Sequence, residues 1–83
     1  MSNRSGVALY ERDGCHLCGE ARVLLDKMIG PDRYARVDIE TDDDLVLRYG
    51  FRIPVLALDG ADRLEAPIIA PDLRDLVNEL RAG

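Results

Sequence analysis

Cys15, His16, Leu17 and Cys18 form the stretch of this chain in which residue type and spacing together suggest chemistry. Two thiols with two residues between them lie one helical turn apart, close enough for one sulfur to attack a disulfide bond held on the other. These are the only two cysteines in the 83 residues, so the disulfide framework of a small secreted domain is excluded. Met1–Gly6 contain no apolar segment of the kind that directs export, and the expected compartment is the reducing cytoplasm. In that setting a lone vicinal pair is more often catalytic or metal-binding than structural. A zinc or iron–sulfur site is the second reading. Zinc in a structural role takes four ligands, His16 would be only a third, and the chain has no other cluster unless a second chain shares the site. A pair of incidental buried thiols is the third. His16 reads either as an exposed first-turn residue or, when protonated, as a cation favouring a thiolate at Cys15.

The elements around the pair decide where it sits. Val7–Tyr10 is a short apolar run, read as a buried strand, before the polar turn Glu11-Arg12-Asp13-Gly14. Leu17, Ala21, Leu24, Leu25 and Met28 then recur at helical spacing, and Gly30-Pro31 stops the pattern, so the first helix spans 16–29. Ala35, Val37 and Ile39 alternate with Arg36 and Asp38 as in a half-buried strand. Thr41-Asp42-Asp43-Asp44 supplies a cap and an acidic first turn for a second helix carrying Leu45, Val46 and Tyr49 and ending at Gly50. A third strand over 53–58 opens with Ile53-Pro54. Asp59-Gly60 marks a turn, 63–65 reads as a polar edge strand, and Pro71 opens a last helix with Leu73, Leu76, Val77 and Leu80 on one face.

The order is βαβαββα within a single domain, residues 1–83. Helices between the early strands call for parallel pairing with right-handed crossovers, and the late turn calls for an antiparallel hairpin. Strands 7–10 and 55–58, apolar on both faces, belong in the centre, while 35–39 and 63–65 suit the edges. The expected class is α/β: a four-stranded mixed sheet covered by three helices.

In that layout Cys15 lies at the carboxyl end of the first strand and the N-terminus of the first helix, where α/β proteins collect their sites. Free N–H groups and the helix dipole lower a thiol pKa there from about 8.5 into a range of roughly 3.5–7.5. Cys15 is therefore the expected nucleophile, and Cys18, further into the helix, the resolving thiol. A drop in pKa to ~6 raises the thiolate fraction at pH 7 about 30-fold while intrinsic nucleophilicity falls about 13-fold. The net gain in attack is only about twofold. The larger benefit is a good leaving group, which lets the mixed disulfide resolve quickly.

The element order, Cys15-His16-Leu17-Cys18 after the first strand and Ile53-Pro54 before the third resemble a glutaredoxin of the thioredoxin superfamily, in particular the small bacterial glutaredoxin-like proteins. The resemblance runs from about Val7 to Leu80. It implies a cis bond at Ile53–Pro54, lying beside the cysteines, with the backbone of Ile53 offered to an extended thiol substrate. It also implies a thiol–disulfide oxidoreductase acting on a disulfide-containing protein or a low-molecular-weight thiol, regenerated by a reductase or thiol donor. No organic cofactor would be bound, and glutathione is the candidate co-substrate. Arg12 stands where such proteins carry a lysine for a glutathione carboxylate. The chain departs from the family at His16-Leu17, where a Pro-Tyr pair is usual, and at Glu65-Ala66-Pro67-Ile68, which lacks the usual paired glycines. Asp72, near the start of the last helix, is not counted as a replacement. A non-catalytic thioredoxin-fold binding module, or a metal or iron–sulfur carrier, is the competing reading.

Composition narrows the partners. With 11 Lys+Arg against 16 Asp+Glu, the net charge of -5 argues against a nucleic-acid partner. No apolar run approaches the length needed to cross a bilayer. A monomer is expected. Arg48 and Arg52, which flank the proline loop, read as solvent-exposed or as holders of an anionic partner, and Glu11 and Asp13 read as loop charges.

Overall fold

Alternating burial along Val7–Glu11 sets the layers of the protein, because successive side chains of a strand face opposite sides of the sheet. The computed structural model describes residues 6–82, so the expectation for the leader segment, Gly6 apart, concerns residues outside them. The elements are β1 (Val7–Glu11), α1 (His16–Met28), β2 (Ala35–Asp38), α2 (Asp43–Tyr49), β3 (Val55–Leu58), β4 (Ala61–Glu65) and α3 (Ala70–Ala82), with a 3-10 turn at Ile39–Thr41. The strands lie in the order β2-β1-β3-β4. The two strands that are apolar on both faces take the centre, as their composition requires.

Val7 and Leu9 face α1 and α3, packing with Ala21, Leu25, Leu73, Leu76 and Val77. Tyr10 faces the other way, toward Ile39, Val55 and the α2 residues Leu45, Val46 and Tyr49. Leu9, Leu25, Leu56 and Leu73 are fully buried, each contributing roughly 1.5–3 kcal/mol by leaving water. Leu17 breaks the stripe expected of α1: it is 43% exposed, so the core-facing stripe begins at Cys18 and Ala21.

Several boundaries differ from the sequence reading. Ile39 leaves β2 and enters the 3-10 turn, where Asp38 caps the Glu40 N–H at 2.9 Å, yet its side chain stays fully buried. β3 starts at Val55, not Ile53. Asp59 (φ 52) and Gly60 (φ 85) form the tight turn that requires positive φ at both central residues, which lets β4 begin at Ala61. Pro71 is the second residue of α3, and a second cis bond, Ala66–Pro67, precedes that helix.

The largest difference is strand direction. β1 and β2 are parallel, as expected, but β3 runs antiparallel to β1 despite the intervening helix. The reason lies in α2. It packs on Tyr10 and Val55, which are paired residues at one end of the sheet, and does not carry the chain back to the other end. β3 therefore starts where β1 finishes.

Candidate functional site

That reversed strand brings two distant parts of the chain together. Tyr10, near the end of β1, pairs with Val55, the first residue of β3. The loop following Tyr10 leads to Cys15, and the residues preceding Val55 are Ile53 and Pro54, joined by a cis bond. Cys15, Ile53, Arg12, Asp13, Gly14, Glu40, Gly50 and Phe51 line one open hollow of about 590 Å³. Pro54 itself is fully buried.

Gly14, at φ 80, turns the chain from the loop into α1. Cys15 then occupies the capping position, with extended backbone, and its Sγ accepts the Cys18 N–H at 3.1 Å. A sulfur in that place takes up one of the unpaired amides of the first turn. Cys15 is half-buried and Cys18 fully buried. The two form a disulfide with a Cα–Cα separation of 5.2 Å.

His16 and Arg12 take different positions. His16 Nε2 lies 2.9 Å from Glu20 Oε2, one turn along α1, and both side chains are largely exposed. Arg12 is exposed at the mouth of the hollow and has no ion-pair partner among the described residues. Asp72 lines a separate depression with Arg63, Asp75 and Glu79. Among the described residues no group of three or more His, Cys, Asp or Glu side chains is arranged to hold a metal ion.

The proline loop is tied down by residues that had read as free. Arg52 donates to Asp62 at 3.0 Å and to Glu65 at 3.1 Å, so it is a clamp onto β4. The hydrogen bonds it donates to those carboxylates, Glu65 foremost, raise its pKa. Tyr49 stacks on Tyr10 with ring centroids 4.3 Å apart and donates its hydroxyl to Asp62 at 3.0 Å. Burial, then that hydrogen bond, pushes its phenol up. The Arg48 and Arg52 guanidiniums lie over the Tyr49 ring, 5.7 and 5.3 Å from its centroid.

Glu11 also departs from its reading as a loop charge. It closes β1, is 4% exposed, and accepts from Arg22 of α1 at 2.6 Å and Arg36 of β2 at 2.7 Å. The hydrogen bond to Glu11 raises the pKa of Arg36. Phe51 and Glu40 were not singled out in the sequence. The available signal was that Phe51 is the only phenylalanine and lies off every apolar stripe.

Comparison with known proteins agrees with this geometry. A family model described as a glutaredoxin-like domain (DUF836) matches residues 6–79. The crystal structure of XcR50, a Northeast Structural Genomics target protein from X. campestris, is 36% identical, with a TM-score of 0.77 over 88% of this chain and 96% of that one. Its solution structure gives 35% identity and a TM-score of 0.75 over 89% and 94%. A mutant thioredoxin from Halobacterium salinarum NRC-1 shares 23% identity, with a TM-score of 0.60 over 89% of this chain and 72% of that one, and supports the thioredoxin fold alone. No curated protein matches significantly.

Proposed function

We propose that this chain, which belongs to the glutaredoxin-like domain family, is a thiol–disulfide oxidoreductase cycling between the dithiol and disulfide forms of Cys15 and Cys18. The observation that carries the reading is the inequality of the two sulfurs: Cys15 is accessible and receives an amide hydrogen bond, and Cys18 is sealed beneath it. The Cys15 thiolate attacks one sulfur of a substrate disulfide, forming a mixed disulfide and releasing the other sulfur as a thiolate. Cys18, losing its proton, then attacks Cys15 Sγ; the mixed bond breaks, and the second substrate sulfur leaves as a thiol. The substrate gains two electrons and the protein is left oxidised. A reductase or thiol donor must return two electrons for each turnover.

Substrates of this class are protein disulfides or mixed disulfides, met in a reducing compartment such as the cytoplasm. Ile53 lines the hollow with Cys15, and its N–H is already committed to the Tyr49 carbonyl at 3.1 Å. Its own carbonyl is then the backbone group that can meet an extended substrate. Arg12, which lines the same hollow, would face the substrate as well, and His16, engaged with Glu20, would enter only after turning away from it.

Alkylation of the reduced protein tests the assignment. Iodoacetamide near pH 6 should label Cys15 much faster than Cys18. Cys15→Ser should abolish mixed-disulfide formation, and Cys18→Ser should trap it. Faster labelling of Cys18 would overturn the roles, and failure of the Cys18→Ser protein to trap any disulfide would leave a binding module in place of an enzyme.

A further inference from the structure

Building on the oxidoreductase reading, we infer that its substrate is a polypeptide disulfide whose cysteine is flanked by an apolar and a basic residue, received by Phe51 and Glu40 at the mouth of the Cys15 hollow. Phe51 is 106% exposed, as open as a side chain in an extended peptide. Scattered exposed apolar residues are ordinary. This one shares a hollow with the attacking sulfur, and its backbone is held rigidly. Gly50 N–H bonds to Val46 O at 2.8 Å, and Arg52 and Ile53 N–H both bond to Tyr49 O, at 2.8 and 3.1 Å. A ring held out by a fixed loop loses little conformational freedom when covered. Leu17, between the cysteines, is a second exposed apolar residue, at 43%.

Charge sets the other half of the preference. The hollow carries Asp13 and Glu40 against Arg12 alone; beyond its lining, exposed Asp38, Asp42, Asp43 and Asp44 flank Glu40 and exposed Arg48 precedes Phe51, so acidic groups outnumber basic ones. With a whole-chain charge of -5, the field at this mouth attracts cations and repels anions within a Debye length of about 8–10 Å. A basic side chain beside the substrate cysteine meets that field favourably. Glutathione, with two carboxylates, one ammonium and no apolar side chain, meets neither feature. Covering part of Phe51 should be worth about tenfold in rate, and a single exposed charge pair about two- to fivefold.

The test uses the full-length reduced protein and three disulfides: neutral bis(2-hydroxyethyl) disulfide, and the homodisulfides of acetyl-Leu-Cys-Lys-amide and acetyl-Gly-Cys-Glu-amide. The chain has no Trp, so oxidation is followed by quenched alkylation and mass spectrometry. Each rate is divided by that of the same disulfide with dithiothreitol, which removes differences in intrinsic reactivity. The Leu-Cys-Lys peptide should react at least about tenfold faster than Gly-Cys-Glu at low ionic strength, and 0.5 M salt should reduce the charge-dependent part. Phe51→Ser should reduce that preference about five- to tenfold, and Glu40→Lys should shift it toward the acidic peptide. Leu47→Ser, which alters an 83% exposed apolar residue on α2, should keep the wild-type preference. Equal normalised rates for the two peptides, or a preference that survives both Phe51→Ser and Glu40→Lys, would overturn the inference and leave the oxidoreductase reading standing. No oxidation by any of the three disulfides would overturn that reading itself.

Discussion

Removing the buried charge and removing its two partners should have unequal costs, although each perturbation removes the same two ion pairs. Glu11 is 4% exposed, and each of its carboxylate oxygens has its own arginine, Arg22 at 2.6 Å and Arg36 at 2.7 Å. Charge-assisted bonds contribute about 1.5–3 kcal/mol each, or roughly 3–6 kcal/mol for two. The Arg22 and Arg36 side chains are 34% and 56% exposed, so when Glu11 is replaced they recover water, and the cost should fall to about 2 kcal/mol for Glu11→Gln. The double variant Arg22→Met, Arg36→Met keeps the aliphatic stems but leaves a carboxylate buried without a partner, which costs about 3–5 kcal/mol. A domain of this length holds about 4–12 kcal/mol in total, so the double variant sits near the limit of folding. Urea denaturation followed by far-UV circular dichroism, with the cysteines kept oxidised, reads the difference. With a slope near 1 kcal/mol/M, the midpoint should fall by about 2 M for Glu11→Gln and by about 3–5 M for the double variant. Equal shifts in the two proteins, or shifts below about 0.5 M in both, would refute the claim that burial of Glu11 sets the cost.

Tyr34 is buried and donates to Asp26 at 2.7 Å, and burial, then that hydrogen bond, pushes its phenol well above the ordinary value. Its contribution to stability is therefore complete below about pH 10 and is lost as pH rises toward the folded-state pKa, so Tyr34→Phe should cost about 1 kcal/mol at pH 7 and flatten the alkaline limb of a stability–pH curve. For glutathione, loss of the two contacts made by the missing paired glycines should weaken binding by about two to four powers of ten. Titration of Cys18→Ser with oxidised glutathione should accordingly give an adduct without ordered contacts to α3, and an adduct fixed against α3 would reverse that expectation.

Much of the scaffold was legible because its signals are local. Asp42 caps α2 by accepting the Asp44 N–H at 2.9 Å, as a Thr-Asp-Asp-Asp run announces. The apolar runs at Val7–Tyr10 and Val55–Leu58 placed both strands at the centre without any long-range information. Glu11 was illegible for the opposite reason. It adjoins a polar turn, and only Arg22 and Arg36, contributed by two other elements, turn it into a buried group. Arg52 is the same case, since its partners Asp62 and Glu65 lie on an edge strand that the sequence starts two residues late and cannot aim. The direction of β3 depended on which end of the sheet α2 covers, and periodicity reports a helix's apolar face without reporting the end at which it rests.

The same division separates the chemistry of the site from its selectivity. Cys15 needs only a strand end, a turn and a helix start to hold a capping sulfur, and all three are written within a dozen neighbouring residues. Ile53 comes to the same hollow as Cys15 through backbone pairing, because the Tyr10–Val55 register carries the proline loop to the end of β1 whatever the loop's side chains are. Phe51 and Glu40 share the hollow but support no element, and Phe51 is fully exposed. Changing them costs the fold little, so they are free to vary with the partner while the capping sulfur and the β1–β3 register remain fixed. On the proposed reading, a thiol pair held by backbone geometry keeps one reaction while the exposed rim changes the disulfide it meets.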